Sequence, residues 1–103
     1  MLIKGLDDPL SWAVYINSPS NYLQLSDNGG NNSSDASNAW NGTAPTSSVF
    51  TVKTKATVNE SGENYIAYVW SEVSGFSKFG TYSGGTNNNT ITLGFKPRYL
   101  LIK

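Results

Sequence analysis

Tyr65-Ile66-Ala67-Tyr68-Val69-Trp70 decides the fold class. All six residues are apolar or aromatic, and Gly62 marks a turn just before them, so the stretch reads as a strand. Because neither face is polar, it is expected to be a central strand covered on both sides, or one whose outer face carries a partner. Thr90-Ile91-Thr92-Leu93-Gly94-Phe95 is the contrasting case, with Ile91, Leu93 and Phe95 on one face and the threonines on the other, as when one sheet face packs and the other meets water. Working outward, β-branched and aromatic runs at residues 2–4, 12–16, 22–25, 49–52, 64–73, 76–83, 90–95 and 99–103 alternate with Gly, Asn, Asp and Ser clusters. No stretch has the period of a long helix. Eight short strands predict an all-β, antiparallel sandwich or barrel formed as a single domain over residues 1–103.

Composition narrows the chemistry. Seven Lys and Arg balance seven Asp and Glu, which argues against nucleic acid or an anionic membrane surface as partner. No apolar run approaches the roughly 20 residues of a bilayer span, and residues 1–5 are too short for a signal core. The chain has no Cys and no His, so disulfides, thiol nucleophiles, imidazole bases and the commonest metal ligands are absent, and neither an enzyme nor a cofactor is expected. Thirty-five residues are Asn, Ser or Thr, yet three Trp, six Tyr and four Phe must be buried somewhere. That mixture fits turns and exposed strand faces better than disorder.

Residues 26–48 form the longest irregular segment. Such a loop is either functional or a crossover between sheets, here with Ala39 and Trp40 plugging the core as a short helical turn. Trp12 and Trp70 sit inside strand runs and are expected to pack. Trp40, with Asn41 beside it, is the one aromatic position to weigh as a platform for a sugar ring. Asp27, Asn28, Asn31, Asn32 and Asp35 are hard oxygen donors, but Gly29 falls where an EF-hand ligand belongs and Asn38 replaces the closing Glu, so no metal site is assigned. Glu60, Glu63 and Glu72 are the carboxylates a glycosidase would need, and turn positions are expected for the first two. The spacing of three between Phe76, Phe79 and Tyr82 suggests a bulge near Phe79 or Gly80.

One internal repeat stands out: Leu2-Ile3-Lys4 recurs as Leu101-Ile102-Lys103, and residues 1–4 mirror residues 100–103. Around it lies a longer pattern: Tyr22-Leu23-Gln24-Leu25; Trp40-Asn41-Gly42-Thr43-Ala44-Pro45; Val58-Asn59-Glu60-Ser61-Gly62-Glu63-Asn64-Tyr65-Ile66-Ala67-Tyr68; Glu72-Val73-Ser74-Gly75-Phe76-Ser77-Lys78-Phe79-Gly80; and Gly94-Phe95-Lys96-Pro97-Arg98-Tyr99-Leu100-Leu101-Ile102-Lys103. Over nearly its whole length the chain resembles the repeated domain of uncharacterised structural and tail-fibre-like proteins of tailed bacteriophages, of the marine type. Such repeats often carry Cys in the strand equivalent to residues 65–70, where this chain has Val69-Trp70.

The resemblance implies a concanavalin-like (jelly-roll) sandwich acting as a structural or adhesive domain of a virion, tail fibre or similar extracellular filament. It supplies no catalytic or ligand residues. It also implies one repeat cut at an unusual phase, so that Leu2, Ile3 and Lys4 and their counterparts Leu101, Ile102 and Lys103 become candidate assembly residues. They would either close the domain within one molecule or pair strands between chains into a homo-oligomer or filament. A host-surface glycan is a possible partner, and a stand-alone carbohydrate-binding module is the competing expectation.

Overall fold

A computed structural model describes residues 1–103. It is mostly non-helical, with one four-stranded antiparallel sheet and two short helices. The strands are β1 (Leu2–Gly5), β2 (Ala13–Val14), β3 (Leu23–Gln24) and β4 (Tyr65–Tyr68); the helices are α1 (Ser33–Trp40) and α2 (Ala56–Asn59). Four of the eight expected runs therefore pair into the sheet. Residues 49–52, 76–83, 90–95 and 99–103 form no strand. The chain divides into two compact units, Met1–Val69 and Trp70–Lys103.

In the first unit the sheet order is β3-β2-β1-β4. β1 is an inner strand, with Ile3 opposite Ala13 on one side and Ala67 on the other. Hydrogen bonds alternate along it. Tyr15 N–H donates to Met1 O at 3.0 Å on the β2 side, and Leu6 N–H donates to Asn64 O at 2.8 Å on the β4 side. In an antiparallel ladder this alternation gives Asn64, Ile66 and Tyr68 the bonds to β1, and turns the N–H and C=O of Tyr65 and Ala67 toward the open side. β4 is thus an edge strand. The expectation of a central strand is corrected: Ile66 is 36% exposed and Tyr68 43%. Trp70, expected in the core, is exposed as well, whereas Trp12 is half-buried with its ring stacked on Tyr68 at 6.0 Å.

Ser, Asn and Asp are poor helix formers, so α1 depends on its ends and its buried face. Asn32 caps the N-terminus, its Oδ1 accepting from Asp35 N–H at 3.2 Å while its Nδ2 donates to the Asp35 carboxylate at 2.8 Å. Asp35 also lies in the first turn, where a negative charge meets the helix dipole favourably. At the other end Asn41 adopts the left-handed conformation at φ 53°, and two last-turn carbonyls accept from outside the helix, Ala39 O from Lys53 N–H and Asn38 O from Lys55 N–H. Ala36, Ala39 and Trp40 share one face by their spacing and are all fully buried.

The core of this unit joins Ile3 and Ala13 from the sheet, Tyr22, the buried face of α1, and Val58 of α2. Thr57, the one buried polar side chain, is satisfied by the Tyr22 hydroxyl at 2.7 Å.

The second unit buries no residue. Its one β-bridge, Val73 with Ser77, closes a tight turn in which Gly75 takes φ +75° and Phe76 and Ser77 N–H both donate to Val73 O. The bulge expected near Phe79 or Gly80 is not formed, since both residues lie outside any ladder. Glu72 Oε1 accepts from Phe79 N–H at 2.9 Å. No helix of the chain is long and apolar enough to cross a membrane.

Candidate functional site

Trp40 lies inside the core of the first unit. Its residue is 0% exposed, its indole N–H donates to Asn21 O at 2.8 Å, and its ring meets Tyr15 edge-on at 5.5 Å and Tyr22 at 6.0 Å. A sugar would have to displace the core to reach it. Of the two readings of residues 26–48, the short helical turn with Ala39 and Trp40 plugging the core agrees with α1, in which both residues are fully buried. Asn41 is exposed, but it serves as the C-cap and its carbonyl accepts from the Thr43 hydroxyl at 3.1 Å.

The oxygen donors of residues 27–35 are used in scaffolding. Asp27 Oδ1 accepts from Gly29 N–H, Asn31 Oδ1 accepts from Tyr22 N–H, and Asp35 pairs with Lys55 at 2.9 Å. No three acidic side chains are placed to hold a metal ion. Beside this loop lies an open cleft of about 380 Å³ with Gln24, Asp27, Asn31 and Ser34 on its walls.

The carboxylates fall where turns need them. Glu60 follows α2 and Glu63 N–H donates back to Glu60 O, with Gly62 at φ +91° completing the turn into β4. Asp7 Oδ2 accepts from both the backbone N–H and the side-chain amide of Asn64. Partial burial, and then the charges of Asp8, Asp7 and Glu60, push the Glu63 carboxyl above its ordinary 4.5. The start of β4 is therefore an acidic corner. Lys4 does not neutralise it through a carboxylate, since its ammonium donates to the backbone carbonyls of Gly5 and Asp8.

Of the candidate assembly residues, Leu2, Ile3 and Lys4 are β1 itself, with a strand on each side and Ile3 2% exposed. They are committed to their own sheet. Leu101 and Ile102 are 51% and 59% exposed, Lys103 is exposed too, and none of the three is part of a strand. What sequence reasoning missed is that β4 lies at an edge of the sheet, with the backbone N–H and C=O of Tyr65 and Ala67 facing away from β1 while the Tyr65 ring packs against the core.

No curated protein and no solved structure matches the chain. A family model does match, over residues 1–103, and the chain belongs to that family, a domain of unknown function designated DUF7483.

Proposed function

We propose that this chain is a non-enzymatic structural or adhesive module of a tailed-phage virion, tail fibre or similar extracellular filament. Assembly completes its β-structure toward a concanavalin-like sandwich of about eight strands. The observation that carries this reading is the distribution of apolar surface. Every buried hydrophobic residue lies at or before Val58, while Val69, Trp70, Val73, Phe76, Tyr99 and Leu100 are 50% to 81% exposed. So many large apolar side chains open to solvent support a role in contact with a partner. The resemblance to phage fibre repeats and the repeated Leu-Ile-Lys segment support the same reading.

The test is the assembly state of the purified chain, by sedimentation and negative-stain electron microscopy. Regular oligomers or filaments are expected. A chain that stays monomeric at all concentrations while binding immobilised glycans would replace this reading with a stand-alone carbohydrate-binding module. That second reading has one observation in its favour, the polar cleft lined by Gln24, Asp27, Asn31 and Ser34. A glycan array comparing the chain with its Gln24→Ala and Asp27→Ala variants reports on it independently.

A further inference from the structure

The sheet's two edges differ. β3 is two residues long and runs into Ser26 and Asp27, so it offers little to another strand. β4 is four residues long, carries no charge, proline or bulge, and continues into Val69 and Trp70, so it lacks the devices that usually blunt an edge.

The inner side of β4 already shows which sequence it pairs with. Leu2, Ile3 and Lys4 lie opposite Tyr68, Ala67 and Ile66. The same tripeptide returns as Leu101-Ile102-Lys103, next to Tyr99 and Leu100, which are 81% and 67% exposed. Within the molecule the place of this tripeptide beside β4 and β2 is filled by β1.

Deepening the module reading, on which it rests, we propose that the open edge of β4 accepts residues 99–103 of a second copy of this chain as an added antiparallel strand, with Ile102 opposite Ala67. In this register the outward N–H and C=O of Ala67 exchange hydrogen bonds with Ile102. Ile102 then lies on the same face as Ala67 and Ile3, where Ile3 is buried and Ala67 is exposed and left for a partner to cover, while Leu101 meets Tyr68 and Lys103 meets Ile66 on the other. Charge agrees with this direction. The antiparallel sense carries Lys103 toward the start of β4, where Asp7, Asp8, Glu60 and Glu63 gather; the reverse sense would carry it away. Donor segment and acceptor edge are different surfaces of one chain, so the contact is heterologous and propagates as a filament unless its rotation closes a ring.

Sedimentation velocity of the full chain over a concentration series tests the proposal. The intact chain is expected to associate as concentration rises. Ala67→Pro removes an N–H that faces the open edge and leaves the bonds to β1 in place, so it is expected to stay monomeric with the circular dichroism of the intact chain. Should this variant unfold, a chain lacking residues 99–103 takes its place, since it keeps all of the first unit and must also be monomeric. The absence of Cys permits a third arm. A chain carrying both Ala67→Cys and Ile102→Cys, treated with a short bifunctional maleimide, is expected to yield chain-to-chain products. Crosslinking within single chains would overturn the proposal in favour of closure inside one molecule. Oligomers that survive both Ala67→Pro and the truncation would overturn the proposed edge and leave the module reading standing. An intact chain that never associates would remove both.

Discussion

Residues 1–69 and 70–103 have similar sequence character and opposite structural outcomes. Both hold β-branched and aromatic runs between Gly, Asn and Ser turns. The first set closes a core around Ile3, Tyr22, Trp40 and Val58, whereas the second buries nothing and closes one tight turn. The difference lies in helices. α1 and α2 contribute Ala36, Ala39, Trp40 and Val58 to the first core, and a strand without such a layer has nothing to bury its apolar face against. A strand pattern is a statement about one face of a chain; whether it becomes a strand depends on what is supplied to that face.

Removing the centre of the first core is the most damaging way to break the contrast. Trp40→Ala should cost about 3 to 5 kcal/mol, in line with large aromatic truncations in cores, and leave the first unit resembling the second. Denaturant unfolding followed by Tyr and Trp fluorescence checks it, and a loss below about 1 kcal/mol would mean the ring is not packed as described.

Tyr22→Phe is the next in size. It deletes one hydroxyl and orphans the buried Thr57 hydroxyl it now satisfies, for an expected loss of about 1 to 3 kcal/mol. The double change Tyr22→Phe with Thr57→Val should recover part of that loss, which separates the hydrogen bond from general damage. Asn32→Ala removes the cap of α1 and should cost about 1 kcal/mol, with Asn32→Ser closer to the original chain.

Those three positions also mark how much was legible beforehand. The four runs that became β1 to β4 were readable because β-branched and aromatic residues bounded by turns are a local signal. The helix over Ser33–Trp40 was harder to see, since Ser, Asn and Asp carry weak propensity and its stability comes from Asn32, Asn41 and a tertiary contact with Lys55. For Trp40 the sequence left two readings, a core plug on a short helical turn and a ligand platform, and its complete burial agrees with the first. The runs at 76–83, 90–95 and 99–103 have the same local signal as β1 and no ladder, because pairing needs a partner that periodicity does not name. For the same reason the Leu-Ile-Lys repeat was visible in sequence and the edge that could receive it was not.

A change of pH has a smaller effect. The Glu63 carboxyl sits above 4.5 in the folded chain, so the folded state holds its proton more tightly than the unfolded state does. By linkage this group makes the chain lose stability as pH rises from 4.5 through the raised value, and the penalty is complete above it. Glu63→Gln should therefore be more stable than the original at neutral pH, with the advantage shrinking on acidification through that window, as thermal melts across pH would record. The smallest effect is expected in the second unit. Phe76→Ala, at a position 78% exposed, should change monomer stability by no more than about 0.5 kcal/mol.

Residues 1–69 carry their own core, whereas the proposed donor segment would gain its order from another chain. Hydrogen exchange of the intact protein at low and high concentration measures this most directly. Protection in β1, β2 and α1 should be present at both concentrations. Protection at Ala67 and across residues 99–103 should appear only at the higher one. Protection of residues 99–103 that is already full at low concentration and indifferent to dilution would mean that this segment is ordered within a single chain.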